Sequence, residues 1–483
     1  MWCLETLKRR YSEINLMKSL HRQWRRSKMM KQLIALSSLV LLSGCFLSDD
    51  LRLPPMKDAT DYTVKVDQEI PIVGEDTLSQ WWERFNDPTL DALIEKALVE
   101  SPDRLIAEAA IAEARGLRRT SLSYLFPQVG ASGNIGREDT GSSFAKYPDS
   151  FYDAGFDASF EIDVFGRNRN NYSASDAQLA AAEEQYHDVS LTLIGEVARS
   201  YVDFRAAQNQ LRIARKNLKS QEKTLALIED LFRLGSAPKL DVERTLNLVN
   251  TTRASIPEFK RQEDNARLRL SVLTGVLPQD LIQLLLIDSE IPGSDVSPVL
   301  MAPAQVVSAR PDVRAAIANL KAGSALRDAA FAELFPTFNL SGFYGVADNA
   351  LASTVEPWNI ALGAAVRLLD FGRIEGRIDA AEAREMQAYQ LYRKTILEAV
   401  TEVETALSDY AHISNRYVSL ERAYKSANSA LELSQTLYKE GEISFLDVLD
   451  AQRTANNAEA SQVSAKAAQA QALIRLYKSL GVY

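Results

Sequence analysis

Side chains able to do chemistry are sparse in this 483-residue chain. Its two cysteines, Cys3 and Cys45, and three histidines, His21, His187 and His412, form no cluster with metal-ligand spacing and no disulfide framework. The chain holds neither a G-x-x-x-x-G-K-[ST] phosphate loop nor a G-x-S-x-G nucleophile elbow. Two patterns remain. The first is Cys45, a thiol that follows a short apolar run and two small residues. The second is a set of carboxylates, Asp153, Asp157, Glu161 and Asp163, all at odd positions of one alternating stretch. On a strand, residues an even number apart share a face, so these acids charge one surface rather than form an acid–base pair. Neither an enzyme, nor a metal site, nor a cofactor is expected.

The elements that place Cys45 are an address. Lys31 precedes an apolar run from Leu33 to Leu42, followed by Ser43-Gly44-Cys45, the plan of a secretory signal peptide. Residues 1–44 are read as that signal, and 1–29 as an extended start with Met29 or Met30 the initiator. The run is too short to span a bilayer as a helix. Leu42-Ser43-Gly44-Cys45 is similar to a bacterial lipobox, which makes Cys45 a lipidated N-terminus. Beyond residue 44 the chain carries 46 basic and 62 acidic residues, which disfavours nucleic acid as a partner.

The sequence is written twice. Shifted by about 206–209 residues, Pro102-Asp103 meets Pro311-Asp312, Leu125-Phe126-Pro127 meets Leu334-Phe335-Pro336, and Ser132-Gly133 meets Ser341-Gly342. Further on, Phe165-Gly166-Arg167 meets Phe371-Gly372-Arg373, and Gly235 with Leu240-Asp241-Val242 meets Gly441 with Leu446-Asp447-Val448. We divide the chain into a lipidated segment (45–85), a first repeat (86–276), a connector (277–303) and a second repeat (304–483). Each repeat holds a hairpin (127–165, 336–371) and a long helix pair with its tip near 235–241 or 441–447.

Apolar residues recur at three-four spacing from Val197 through Tyr201, Phe204, Leu211, Ala214, Leu218, Leu225, Ile228 and Phe232, and again from Val403 to Tyr438. No proline interrupts 167–234 or 373–440, so helices roughly 100 Å long are predicted, which need lateral partners. Gly235 and Gly441 end them, and Pro257 is expected to kink the first returning helix.

Strict alternation replaces this period from Tyr152 to Val164 and from Trp358 to Leu368, with even positions apolar. Partner strands follow Pro127 and Pro336, with polar loops at 137–150 and 347–357. Segments of this length cross a bilayer when tilted, and aromatics near their ends, Tyr152, Phe165, Phe338, Trp358 and Phe371, suit an interfacial girdle. Four strands leave open edges that hydrocarbon does not tolerate. Two chains would give an eight-stranded barrel filled by its own side chains, and three a twelve-stranded one wide enough for a conduit lined by Asp153, Asp157, Glu161 and Asp163. The trimer is favoured.

From Cys45 onward the chain resembles the TolC-type outer membrane factors, and within them the NodT-like lipoprotein subclass of resistance–nodulation–division efflux systems. The resemblance is carried by Trp81-Trp82 with Phe85-Asn86-Asp87-Pro88-Thr89-Leu90, by Arg310-Pro311-Asp312-Val313-Arg314-Ala315-Ala316, and by the two Leu-Phe-Pro and two Phe-Gly-Arg junctions. Leu446 to Arg453 and Leu476-Tyr477-Lys478-Ser479-Leu480-Gly481 complete it. It implies an α+β membrane protein: a homotrimeric twelve-stranded outer-membrane barrel continued by a periplasmic α-helical barrel. The implied function is an efflux channel in outer-membrane lipid, working with a periplasmic adaptor and an inner-membrane pump. The alternatives are a protein-secretion duct on the same fold, or a lipid-anchored coiled-coil scaffold without a pore. The resemblance also implies adaptor-docking tips at Gly235, Leu240, Asp241, Gly441, Leu446 and Asp447, and a periplasmic gate of Leu446, Asp450 and Arg453.

Overall fold

The computed structural model describes residues 62–64, 70–138, 149–287, 289–293, 296–349 and 352–483. The signal segment and Cys45 lie outside the described residues. After a short turn of 3-10 helix (Trp81–Phe85) come α1 (Pro88–Glu100), α2 (Pro102–Ser123), β1 (Gln128–Glu138), β2 (Asp149–Ile162), α3 (Arg167–Arg233) and α4 (Lys239–Thr274). Past a connector carrying α5 (Ile282–Leu285), the order recurs as α6 (Pro303–Ala309), α7 (Pro311–Ala332), β3 (Thr337–Asn349), β4 (Ala352–Val355), β5 (Trp358–Ala365), α8 (Arg373–Glu440) and α9 (Phe445–Ser479). Among the described residues no helix is long and apolar enough to cross a membrane.

The proline-free stretches give α3 and α8, of 67 and 68 residues, each about 100 Å long at 1.5 Å per residue. Each starts after a glycine in the left-handed region, Gly166 and Gly372, and each closes on another, Gly235 and Gly441. The Ser236 amide donates to the Leu231 carbonyl at 2.8 Å and the Glu442 amide to the Leu437 carbonyl at 2.9 Å. This six-to-one closure needs positive φ at the glycine. Helix α4 runs on both sides of Pro257.

Next to the sheet, α2 packs on α3, α3 on α7 and α7 on α8; at the far level, α4 packs on α3, α3 on α9 and α9 on α8. Four helices therefore stand side by side at each level. The main core lies midway along the long helices, where Val197, Tyr201 and Phe204 of α3 and Val403 and Leu407 of α8 meet Leu473 and Tyr477 of α9, Leu90 and Leu93 of α1, and Trp81, Trp82 and Phe85. Strand-like pairing of 71–73 with Leu300 ties the connector over this core. Farther out, Leu218, Leu225, Tyr417 and Leu431 are only half-buried. A second small core of Ile228, Phe445, Val448 and Leu449 forms near the tips.

All strands are antiparallel, in the order β1–β2–β3, with β4 and β5 following each other along the free edge of β3. The predicted loop at 347–357 is a correction. Strand β3 continues to Asn349, and Ala352–Val355 pairs with it across an irregularity. Only Glu356-Pro357 separates β4 from β5, because proline brings no amide to a ladder. The alternating segments also shift: β2 spans 149–162 rather than 152–164, and β5 stops at Ala365 rather than Leu368. The chain leaves the ladder there to turn into α8, and Asp370 accepts from the amides of Gly372 (3.1 Å) and Ile374 (2.9 Å).

Candidate functional site

The register decides what the alternation means. Phe156 stands opposite Ala131 on one side and Tyr344 on the other, Phe160 opposite Leu340, Leu340 opposite Leu362, and Tyr344 opposite Trp358. Cross-strand partners share a face, so the even-numbered apolar residues of β2, β3 and β5 and the odd-numbered ones of β1 merge into one continuous surface. It is uncovered in the chain: Ile135, Trp358 and Ile360 are 89%, 71% and 74% exposed. An apolar surface this extensive is not left to water by a soluble monomer. The outer edges of β1 and β5 have no strand partner among the described residues.

The opposite face is small and polar, and its carboxylates are not equivalent. Glu161 pairs with Arg167 at the start of α3. Asp163 lies one residue beyond β2, so it is not a strand residue; it accepts from the Arg169 amide at 2.8 Å and sits 3.6 Å from the Arg169 guanidinium. Asp153 accepts from Asn134 Nδ2 at 2.9 Å. Among the described residues neither Asp153 nor Asp157 has a cationic partner. Two aromatic residues share this face, Phe151 and Phe343, opposite Gly136 and Asp157. Alternation alone did not single them out, although their odd numbering places them there. The aromatics expected in a girdle divide: Phe165 stacks on Phe335 with centroids 4.5 Å apart, whereas Trp358 and Phe371 are exposed.

Two polar clusters, the first buried and the second at the surface around a largely buried arginine, fix the helices that carry the sheet, and spacing did not reveal either. Asp87 caps α1, accepting from the amides of Thr89 (2.9 Å) and Leu90 (3.2 Å) through Oδ1, and from Tyr201 Oη (2.8 Å) and Ser289 Oγ (2.9 Å) through Oδ2. Arg205, fully buried, donates to Tyr201 Oη at 2.9 Å, and burial pushes the Tyr201 phenol up to about 12. At the second site Arg310 holds Asp312 with two bonds (3.0 and 2.8 Å), Glu402 at 2.8 Å and the Ser479 carbonyl at 2.8 Å. It thereby ties the start of α7 to α8 and to the C-terminal end of α9.

At the far end, Ser444 and Asp447 form a reciprocal capping box: Ser444 donates its amide (3.0 Å) and hydroxyl (2.6 Å) to Asp447 Oδ2. These bonds hold the Asp447 carboxyl below its ordinary range. Asp241 occupies the matching place in α4 without a capping bond, 3.6 Å from Arg244. Leu240 and Leu446 are about half exposed, at 56% and 47%. One turn into α9, Arg453 donates to Asp450 at 2.6 Å, both side chains exposed.

An amphipathic sheet with open edges, carried on helices of this length, defines the class of channel-forming outer-membrane proteins. The chain belongs to the outer membrane efflux protein family, whose profile matches residues 93–276 and 302–482. It is 32% identical over 421 residues to the pyoverdine export outer membrane protein OpmQ of Pseudomonas aeruginosa, covering 84% of this chain and 87% of that protein. It is 28% identical over 433 residues to the probable outer membrane lipoprotein SilC of Salmonella typhimurium, covering 88% and 92%. The solved structure of the outer-membrane channel OprN superposes with a TM-score of 0.80 at 31% identity, covering 89% of this chain and 98% of that one. The chain is thus an outer-membrane efflux protein, with a role in transport.

Proposed function

We propose that three copies close a twelve-stranded barrel through the outer membrane, continued by a tunnel of their helices into the periplasm. The observation that carries this reading is the uncovered apolar face of the sheet, flanked by strand edges without partners. Lipid covers the one and neighbouring chains satisfy the other. Each half of the chain would be one copy of a common unit, with its hairpin in the barrel and its helix pair in the tunnel. Cys45 would carry the lipid anchor, and residues 45–85 with 277–303 would form the belt around the tunnel.

In this reading the duct conducts passively and serves a tripartite efflux system. Gly235, Leu240, Asp241, Gly441, Leu446 and Asp447 mark the tips that dock the periplasmic adaptor, and the inner-membrane pump supplies cargo. Leu446, Asp450 and Arg453 gate the periplasmic end. Symmetry-related carboxylates repel, and the neighbouring Arg453 relieves that repulsion and favours closure. Semi-native gels with planar-bilayer recording test the assembly. A heat-modifiable trimer with discrete conductance is expected, and a monomer that leaves the bilayer silent would reject it.

A further inference from the structure

The two aromatic rings on the polar face of the sheet do not project freely from it. A methyl group added to Gly155 would lie 2.7 Å from the Phe343 ring, and one added to Gly345 would lie 2.9 Å from it. Gly155 and Gly345 are direct cross-strand partners, so the ring rests on a floor of two bare glycines. Along β2 that floor lies between Asp153 and Asp157. The lower carboxylates of this row, Glu161 and Asp163, are neutralised by Arg167 and Arg169. Asp153 and Asp157 are not, and Asp157 leans over Gly130 with no hydrogen-bonding partner among the described residues.

We propose that Phe343, with Asp153 and Asp157, is a binding step for organic cations on the inner wall of the barrel. An aromatic face attracts a cation through its quadrupole, and carboxylates on both sides add charge. A weakly hydrated organic cation suits both, whereas a small, strongly hydrated ion gives up more solvation to meet the ring. The inference rests on the reading that this face lines the duct.

The test is block of conductance in planar bilayers by tetraphenylphosphonium, with tetraphenylborate as the anion of the same shape. The cation is expected to block the native protein and the anion is not. Phe343→Leu, which keeps apolar bulk without a ring, should raise the half-blocking concentration about three-fold, the size of one exposed cation–π contact, and Asp157→Asn should raise it about two- to three-fold, the size of one exposed ion pair. Phe343→Tyr should restore the native value. Trimer formation by each variant is checked on semi-native gels. Equal block of all variants, equal block by the anion, or a conducting native protein that the cation does not block would overturn the site. A native protein that does not conduct would instead overturn the duct reading beneath it.

Discussion

Removing the carboxylate of Asp87 should loosen α1 and the connector it holds through Ser289. Asp87 is 5% exposed and accepts four hydrogen bonds, two from the first amides of α1 and two from the hydroxyls of Tyr201 and Ser289. Losing an N-cap costs about 1 kcal/mol. Leaving the buried Tyr201 hydroxyl without an acceptor costs about 1–3 kcal/mol more. For Asp87→Ala the two together come to about 3 kcal/mol, or roughly a hundred-fold in a local opening equilibrium. Asp87→Asn keeps one carbonyl oxygen for the cap and should cost about half as much. Global unfolding of a membrane assembly is not two-state, so the assay is native-state hydrogen exchange of the α1 amides from Leu90 to Leu93. Exchange in Asp87→Ala within a few-fold of native, or Asn costing as much as Ala, would refute this account of the cap.

Other outcomes follow from the same geometry. Burial first, then Glu83, Asp87 and Glu95, push the Asp91 carboxyl up to about 6. A folded value above the ordinary 3.8 means the native state binds the proton more tightly, so this group destabilises at neutral pH and the penalty fades as pH falls through about 6 toward 4. Asp91→Asn should therefore melt higher than native at pH 7.5 and lose that advantage near pH 4, as read by thermal dissociation of the assembly. Asp450→Ala should raise the conductance of the isolated protein in planar bilayers; an unchanged value counts against the gate. Cys45→Ala should abolish palmitate labelling, and labelling equal to native would refute acylation there.

The parts legible in the sequence are those governed by local rules. Period two fixed the face of Tyr152, Phe156 and Phe160 before any pairing was known, because register can carry a residue only to one side of a strand or the other. The ends of α3 and α8 were readable from Gly235 and Gly441, since few other residues take positive φ without cost. What escaped depends on contacts distant in sequence. Phe343 finds its recess on Gly155 of another strand, Arg310 its partners on α8 and α9, and Asp87 its acceptor role toward Tyr201. The 347–357 stretch reads as a loop because Glu356-Pro357 interrupts the ladder without ending the strand pairing on either side. Glu161 and Asp163 looked equivalent to Asp153 and Asp157, yet Arg167 and Arg169 reach back to them from the start of α3, where the helix is already forming.

Cysteine scanning of β2 from Tyr152 to Ile162 in intact outer membranes tests the sidedness of the sheet directly. A membrane-impermeant maleimide should label the odd positions, among them Asp153, Asp157 and Glu161, from the aqueous duct. It should leave Ala154, Phe156, Ala158 and Phe160 protected by lipid. Uniform labelling of both sets, or protection of the odd positions alone, would contradict a sheet standing between lipid and water.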